Sequence, residues 1–141
     1  MVDVTAKAAS ERTAVAAGLL RTSAQVVELI SADGLAKGDA LATARVAGIL
    51  AAKRTSELIP LCHQLALTSV EVEFTVGGTD VNITAAVRST DRTGVEMEAL
   101  TAVCVAALTL YDMIKAVDPA ARIDDIKVLR KEGGRHGTWV R

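Results

Sequence analysis

Residues 70–88 read VEVEFTVGGTDVNITAAVR, and this stretch decides the fold. Val70, Val72, Phe74 and Val76 recur at every second position, as do Val81, Ile83, Ala85 and Val87, with Asn82, Thr84, Ala86 and Arg88 between the latter. A period of two belongs to a β-strand with one buried face. Gly77-Gly78-Thr79-Asp80 separates the runs and has the residues of a hairpin turn, so 70–76 and 81–88 are predicted to pair antiparallel. Leu65 and Leu67 have the opposite parity to Val70, and a bulge near Thr68–Ser69 reconciles them.

Toward the C-terminus, Asp91-Arg92-Thr93-Gly94 reads as a turn before a helix over residues 95–117. That helix is apolar nearly all round, which predicts burial on most sides. Pro119 lies just beyond it, residues 123–131 read as a last strand, and Gly133-Gly134-Arg135-His136-Gly137 as a glycine-rich tail loop. Toward the N-terminus, Leu41, Ala44, Ala47, Gly48, Ala51 and Ala52 recur at helical spacing. One helix is predicted from Asp39, as N-cap, to Leu58, stopped by Pro60. Ser23 caps a shorter helix over 24–31, and 13–22 form a first strand. Residues 1–12 are polar and Ala-rich and are expected to be mobile. The order βα-α-ββ-α-β predicts one α+β domain over 1–141, an antiparallel sheet with helices on one face.

Composition narrows the function. The chain has 141 residues, 16 basic and 17 acidic, for a net charge of −1. That balance excludes nucleic-acid binding by bulk charge, and 2% aromatics excludes a base-stacking platform. Half the residues are hydrophobic, yet no uninterrupted apolar run reaches the ~18 residues of a membrane span, and nothing at the N-terminus resembles a signal peptide. A cytoplasmic address is the default. A chain this apolar is expected to bury surface against copies of itself. Cys62 and Cys104 are not expected to pair, and Cys62-His63 lacks the converging ligands of a zinc site.

The long helix carries few charges, and they are aligned. At about 100° per residue, Glu98, Asp112 and Lys115 fall within an arc of roughly 100°, with Thr101 between them. Such a stripe is either a solvated edge or a lined site. Asp112 and Lys115 are helix neighbours, either a plain surface pair or a desolvated acid–base couple. Fourteen positions, about 21 Å, separate Glu98 from Asp112, so one small substrate cannot touch both on one helix. A shared site therefore requires two subunits. His63 sits in the stiff Ile59-Pro60-Leu61-Cys62 turn, either as a half-buried structural histidine or as a ligand or proton-transfer group. Lys37 stands before a helix N-terminus, Lys53 at a helix end, and Lys131-Glu132-Gly133-Gly134-Arg135 looks like a phosphate cradle without the full P-loop pattern.

At these residues the chain resembles a known family. MVDV (1–4), KGD (37–39), AAKRTSELIPLCH (51–63), TGVEMEALTA (93–102) and AALTLYDMIK (106–115) are similar to the molybdenum cofactor biosynthesis protein C family, the cyclic pyranopterin monophosphate synthases. The resemblance implies a ferredoxin-like sandwich and a hexamer built as a trimer of dimers, with active sites at the dimer interface. The implied lyase reaction converts 3′,8-cyclo-7,8-dihydroguanosine triphosphate, supplied by an upstream radical GTP cyclase, into cyclic pyranopterin monophosphate and pyrophosphate. It implies Asp112, Lys115 and Lys37 as catalytic, and Leu61, Cys62, His63, Met97, Glu98, Lys53, Arg12 and Lys131 as substrate-binding. No cofactor or metal is required by the sequence, although Mg²⁺ could escort the triphosphate. The chain departs from the family pattern at Gln64, where proline is common, and at Asp91-Arg92, where Gly-Lys is common. The first would loosen the His63 turn and the second alters a surface turn. The rival reading is a non-catalytic purine-nucleotide-binding module, which needs cations but no Asp112/Lys115 couple.

Overall fold

The computed structural model describes residues 1–134 and 137–141. Five strands form one antiparallel sheet, β1 (Ser10–Arg21), β2 (Leu67–Val76), β3 (Asp80–Asp91), β4 (Arg122–Glu132) and β5 (Trp139–Val140), in the order β2-β3-β1-β4-β5. Four helices accompany it, α1 (Ala24–Ser31), α2 (Ala40–Ala52), α3 (Thr55–Leu58) and α4 (Glu96–Ile114). This is the α+β, ferredoxin-like arrangement, with α4 lying across β1, β3 and β4 and α2 packed on α4 and β2.

The alternating residues of the hairpin build the floor of the core. Val81, Ile83, Ala85 and Val87 are fully buried or within 1% of it, beside Ala14, Ala16 and Leu20 of β1. Ala99, Val103, Ala106, Ala107 and Leu110 of α4 cover them. The side chains are short, so the layers approach closely. A Cβ on Gly48 of α2 would lie 2.9 Å from the Ala102 carbonyl oxygen and 3.3 Å from Ala106 Cβ of α4. α4 is long and apolar enough by composition to cross a membrane, but here it is the core helix and spends its apolar face on the sheet.

The hairpin closes where the sequence places it, with Gly77 N–H donating to the Asp80 carbonyl at 2.8 Å. The register of β2 on β3 slips between Leu67 and Ser69, so the bulge falls at Thr68. Ser23 and Asp39 cap α1 and α2 through their side chains, accepting from Val26 and Ala42 N–H.

Four expectations change. The helix predicted from Asp39 to Leu58 is two, because the chain turns at Lys53-Arg54 before Thr55 restarts it as α3. α4 ends at Ile114 rather than 117, with Asp118 accepting from Thr22 Oγ and Ser23 N–H and so drawing the exit toward the start of α1. Ser10, Glu11 and Arg12, placed by the sequence in the leading segment, are the first residues of β1. β5 had no strand signature, since two residues cannot show a period.

Candidate active site

The residues singled out by sequence gather at the two ends of α4. At its C-terminal end, Lys37 reaches in from the loop before α2. Lys37 Nζ lies 2.6 Å from Asp112 Oδ2 and 2.9 Å from the Asp112 carbonyl oxygen, while Lys115 Nζ lies 2.8 Å from Asp112 Oδ1. One carboxylate thus holds two ammoniums. Lys115 first and Lys37 second bring the Asp112 carboxyl down to about 2, and Asp112 in turn raises Lys115. In the single chain the three side chains are 47–53% exposed, so the desolvated couple is not formed by this fold alone.

At the N-terminal end the stripe is buried. Glu98 is 4% exposed and Thr101 7%. Burial raises the Glu98 carboxyl, and the Glu96 charge adds to the effect. Cys62 comes near enough that Glu98 adds to the rise that burial imposes on its thiol. His63 Nε2 is 2.9 Å from the Val2 carbonyl oxygen, which ties the N-terminal segment to this end. Leu61 is 70% exposed and Met97 37%, two apolar side chains open to solvent beside a buried carboxyl. Lys53 is exposed at the end of α2.

At the start of α4, lined by Glu96, a cleft of about 560 Å³ opens between the N-terminal segment, the β3–α4 turn and the end of β4. Arg12, Lys131, Gly133 and Gly134 line it. Lys131 Nζ contacts Glu96 Oε1 at 3.0 Å. Gly134 has φ +76, and a Cβ there would strike the Arg12 guanidinium, so only glycine leaves that group its seat. Arg135 of the phosphate cradle, and His136, lie outside the described residues.

The structure therefore brings Lys37, Asp112 and Lys115 together, and separately gathers Cys62 with Glu98 and Arg12 with Lys131. Lys37 stays apart from the cleft cations, at the Asp112 end of α4. Sequence reasoning missed Lys7, Arg92 and Glu96 as cleft residues. Glu96 alone carried a signal, two positions before Glu98 in the same helix turn. Among the described residues no three of His, Cys, Asp and Glu converge as metal ligands, and both cysteines are free thiols.

The model described as MoaC family matches residues 1–134. The chain is 81% identical, over all of its length and 84% of the relative, to a protein of Mycobacterium tuberculosis strain H37Rv named cyclic pyranopterin monophosphate synthase 2. It is 57% identical, over its full length and 83% of the relative, to the cyclic pyranopterin monophosphate synthase of Streptomyces coelicolor. The Thermomicrobium roseum protein of that name is 56% identical, again over the full chain and 86% of the relative.

Proposed function

The chain belongs to the MoaC family, and from that premise we propose that it is a cyclic pyranopterin monophosphate synthase, a lyase of molybdenum cofactor biosynthesis. Its substrate on this reading is 3′,8-cyclo-7,8-dihydroguanosine triphosphate, and its products are cyclic pyranopterin monophosphate and pyrophosphate. The observation that carries the chemistry is the Lys37–Asp112–Lys115 contact, an acid–base group that a passive nucleotide-binding module has no use for.

The ring rearrangement needs several proton transfers. A carboxylate and two ammoniums in mutual contact can accept and donate them at adjacent atoms. Closure of the cyclic phosphate joins a sugar hydroxyl oxygen to the α-phosphorus. The bond to the bridging oxygen breaks, and pyrophosphate leaves with the electron pair. Charge accumulates on that leaving group, and Arg12, Lys131 and Lys53 serve to neutralise it. Glu98, His63, Cys62, Leu61 and Met97 hold the guanine-derived part. No step calls on a metal, and Mg²⁺ would enter only with the triphosphate.

The site is shared between subunits. Asp112 and Glu98 stand at opposite ends of one helix, about 21 Å apart, so the catalytic group of one chain must meet the cleft of another. Val46 and Leu50 of α2, Leu58, Leu61 and Leu108 of α4 are 51–70% exposed and supply apolar surface for such an association. A homohexamer, as a trimer of dimers, satisfies both conditions. Covering the Asp112–Lys115 pair would also desolvate it, raising the Asp112 carboxyl and lowering the Lys115 ammonium toward the working range of an acid and a base.

The test is incubation of the purified protein with the cyclised guanosine triphosphate. Stoichiometric pyrophosphate and cyclic pyranopterin monophosphate are expected. Tight substrate binding with neither product would favour the nucleotide-binding module instead.

A further inference from the structure

The cleft beside α4 contains two cations that none of these roles uses, Lys7 and Arg92, and Arg92 is the one that the turn before α4 positions. Arg92 stands in the turn between β3 and α4, exposed at the cleft rim. Its backbone N–H donates to Asp91 Oδ1 at 2.7 Å, and the carbonyl oxygen of the same Asp91 accepts from Arg12 Nε at 3.3 Å. One residue thus anchors both arginines at the cleft. Its carboxylate takes the Arg92 main-chain N–H and its carbonyl oxygen takes Arg12 Nε, which leaves the terminal nitrogens of both guanidiniums uncommitted to it.

The carboxylates lining the cleft are already taken. Glu96 is held by Lys131 at 3.0 Å, and Glu132 is paired with Arg130. Among the described residues, neither Arg12 nor Arg92 is ion-paired with a carboxylate. Two guanidiniums lining one cleft, neither ion-paired with a carboxylate, together with a glycine backbone, suit an anion with several oxygens. A planar fork matches two phosphate oxygens at once.

We propose that Arg92 is a further phosphate-contacting residue, binding the terminal phosphates of the triphosphate and holding pyrophosphate as it leaves. This rests on the reading that the cleft takes the triphosphate. The rim position places Arg92 at the outer end of the anion, away from the α-phosphorus where bonds form and break. The Asp91-Arg92 pair is then no neutral change of a surface turn. The Asp91 carboxylate fixes the backbone from which Arg92 extends.

The experiment is calorimetric titration of inorganic pyrophosphate into the full-length oligomer, comparing wild type with Arg92→Gln, Arg92→Lys and Arg122→Gln. Arg122 lies at the opposite end of the sheet, beside Arg21, and its variant carries the same loss of charge. Loss of one charge-assisted contact is expected to weaken pyrophosphate about tenfold in Arg92→Gln, less in Arg92→Lys, and not in Arg122→Gln. In turnover, Arg92→Gln should raise KM by a similar factor with kcat within about twofold, the pattern of a binding rather than a chemical contact. Pyrophosphate affinity unchanged in Arg92→Gln, or absent in wild type, overturns the proposal. Arg92-dependent affinity without any turnover supports the contact and sinks the synthase reading instead.

Discussion

Lys37 Nζ lies 2.6 Å from Asp112 Oδ2, across 75 positions of sequence, and Lys115 holds the other oxygen of the same carboxylate. The three groups act as a unit, so each single loss should be nearly as damaging as losing all. Asp112→Ala, Lys115→Ala and Lys37→Ala are each expected to cut kcat by at least about 10²-fold, the usual weight of a general acid or base. Circular dichroism and hydrodynamic size should stay as in wild type, because all three side chains are half exposed. Near-normal kcat in any of the three would remove that residue from the chemistry.

Lys131 belongs to the other end of α4 and should fail differently. Its ammonium pairs with Glu96 in the cleft, away from Asp112. Lys131→Ala is expected to raise KM and weaken pyrophosphate inhibition, by about tenfold at low salt and less at high salt as screening takes over. A kcat loss with KM unchanged would place Lys131 among the reacting groups.

Glu98 makes stability depend on pH in the direction opposite to most carboxylates. Burial raises its folded carboxyl above the ordinary 4.5, so the folded state prefers the protonated form. The folded protein then binds more protons than the unfolded chain, and this contribution is complete below the ordinary value and fades as pH rises through the folded one. Glu98→Gln, which stays neutral, should therefore melt higher than wild type at pH 7 and converge with it below about pH 4. Thermal melts at fixed protein concentration measure this, and a variant less stable at pH 7 would show that Glu98 has a cationic partner in the assembly.

Gly48 sets the distance between α2 and α4. Alanine would gain about 1 kcal/mol of helix propensity but place its Cβ 2.9 Å from the Ala102 carbonyl. Because the obstacle is backbone, the helices must separate, at a cost of about 1–3 kcal/mol. Gly48→Ala is expected to unfold at lower urea than wild type at equal protein concentration, and a higher midpoint would mean the helices part freely.

Subunit mixing tests the shared site directly. Glu98→Ala and Asp112→Ala oligomers should each be inactive. In a mixed pair both lesions fall in one site and the other site is intact. About half the pairs are mixed, so activity should recover to about a quarter of wild type if sites act independently. No recovery, with mass spectrometry showing exchanged subunits, would confine the site to one chain.

What the sequence by itself determined is whatever local periodicity and local chemistry encode. Val81, Ile83, Ala85 and Val87 declare a buried strand face through their spacing, Gly77–Asp80 declares the turn, and the parity change at Thr68 declares the bulge. Asp112 and Lys115 are neighbours on any helix, and the distance from Glu98 to Asp112 follows from helical rise alone. Tertiary structure decided the rest. Nothing local to Lys37 shows that it joins Asp112 rather than the cleft cations Arg12 and Lys131, since that contact depends on how the loop before α2 docks on the end of α4. Nothing local breaks the helix at Lys53-Arg54 or makes a strand of Trp139-Val140, whose partners Lys131 and Arg130 are fixed only when the sheet forms. The same stripe of α4 is buried at Glu98, which the segment carrying Cys62 approaches, and half exposed at Asp112, where the loop carrying Lys37 reaches the carboxylate without covering it. Burial depends on what lies opposite a side chain, and that is fixed only once distant segments have met.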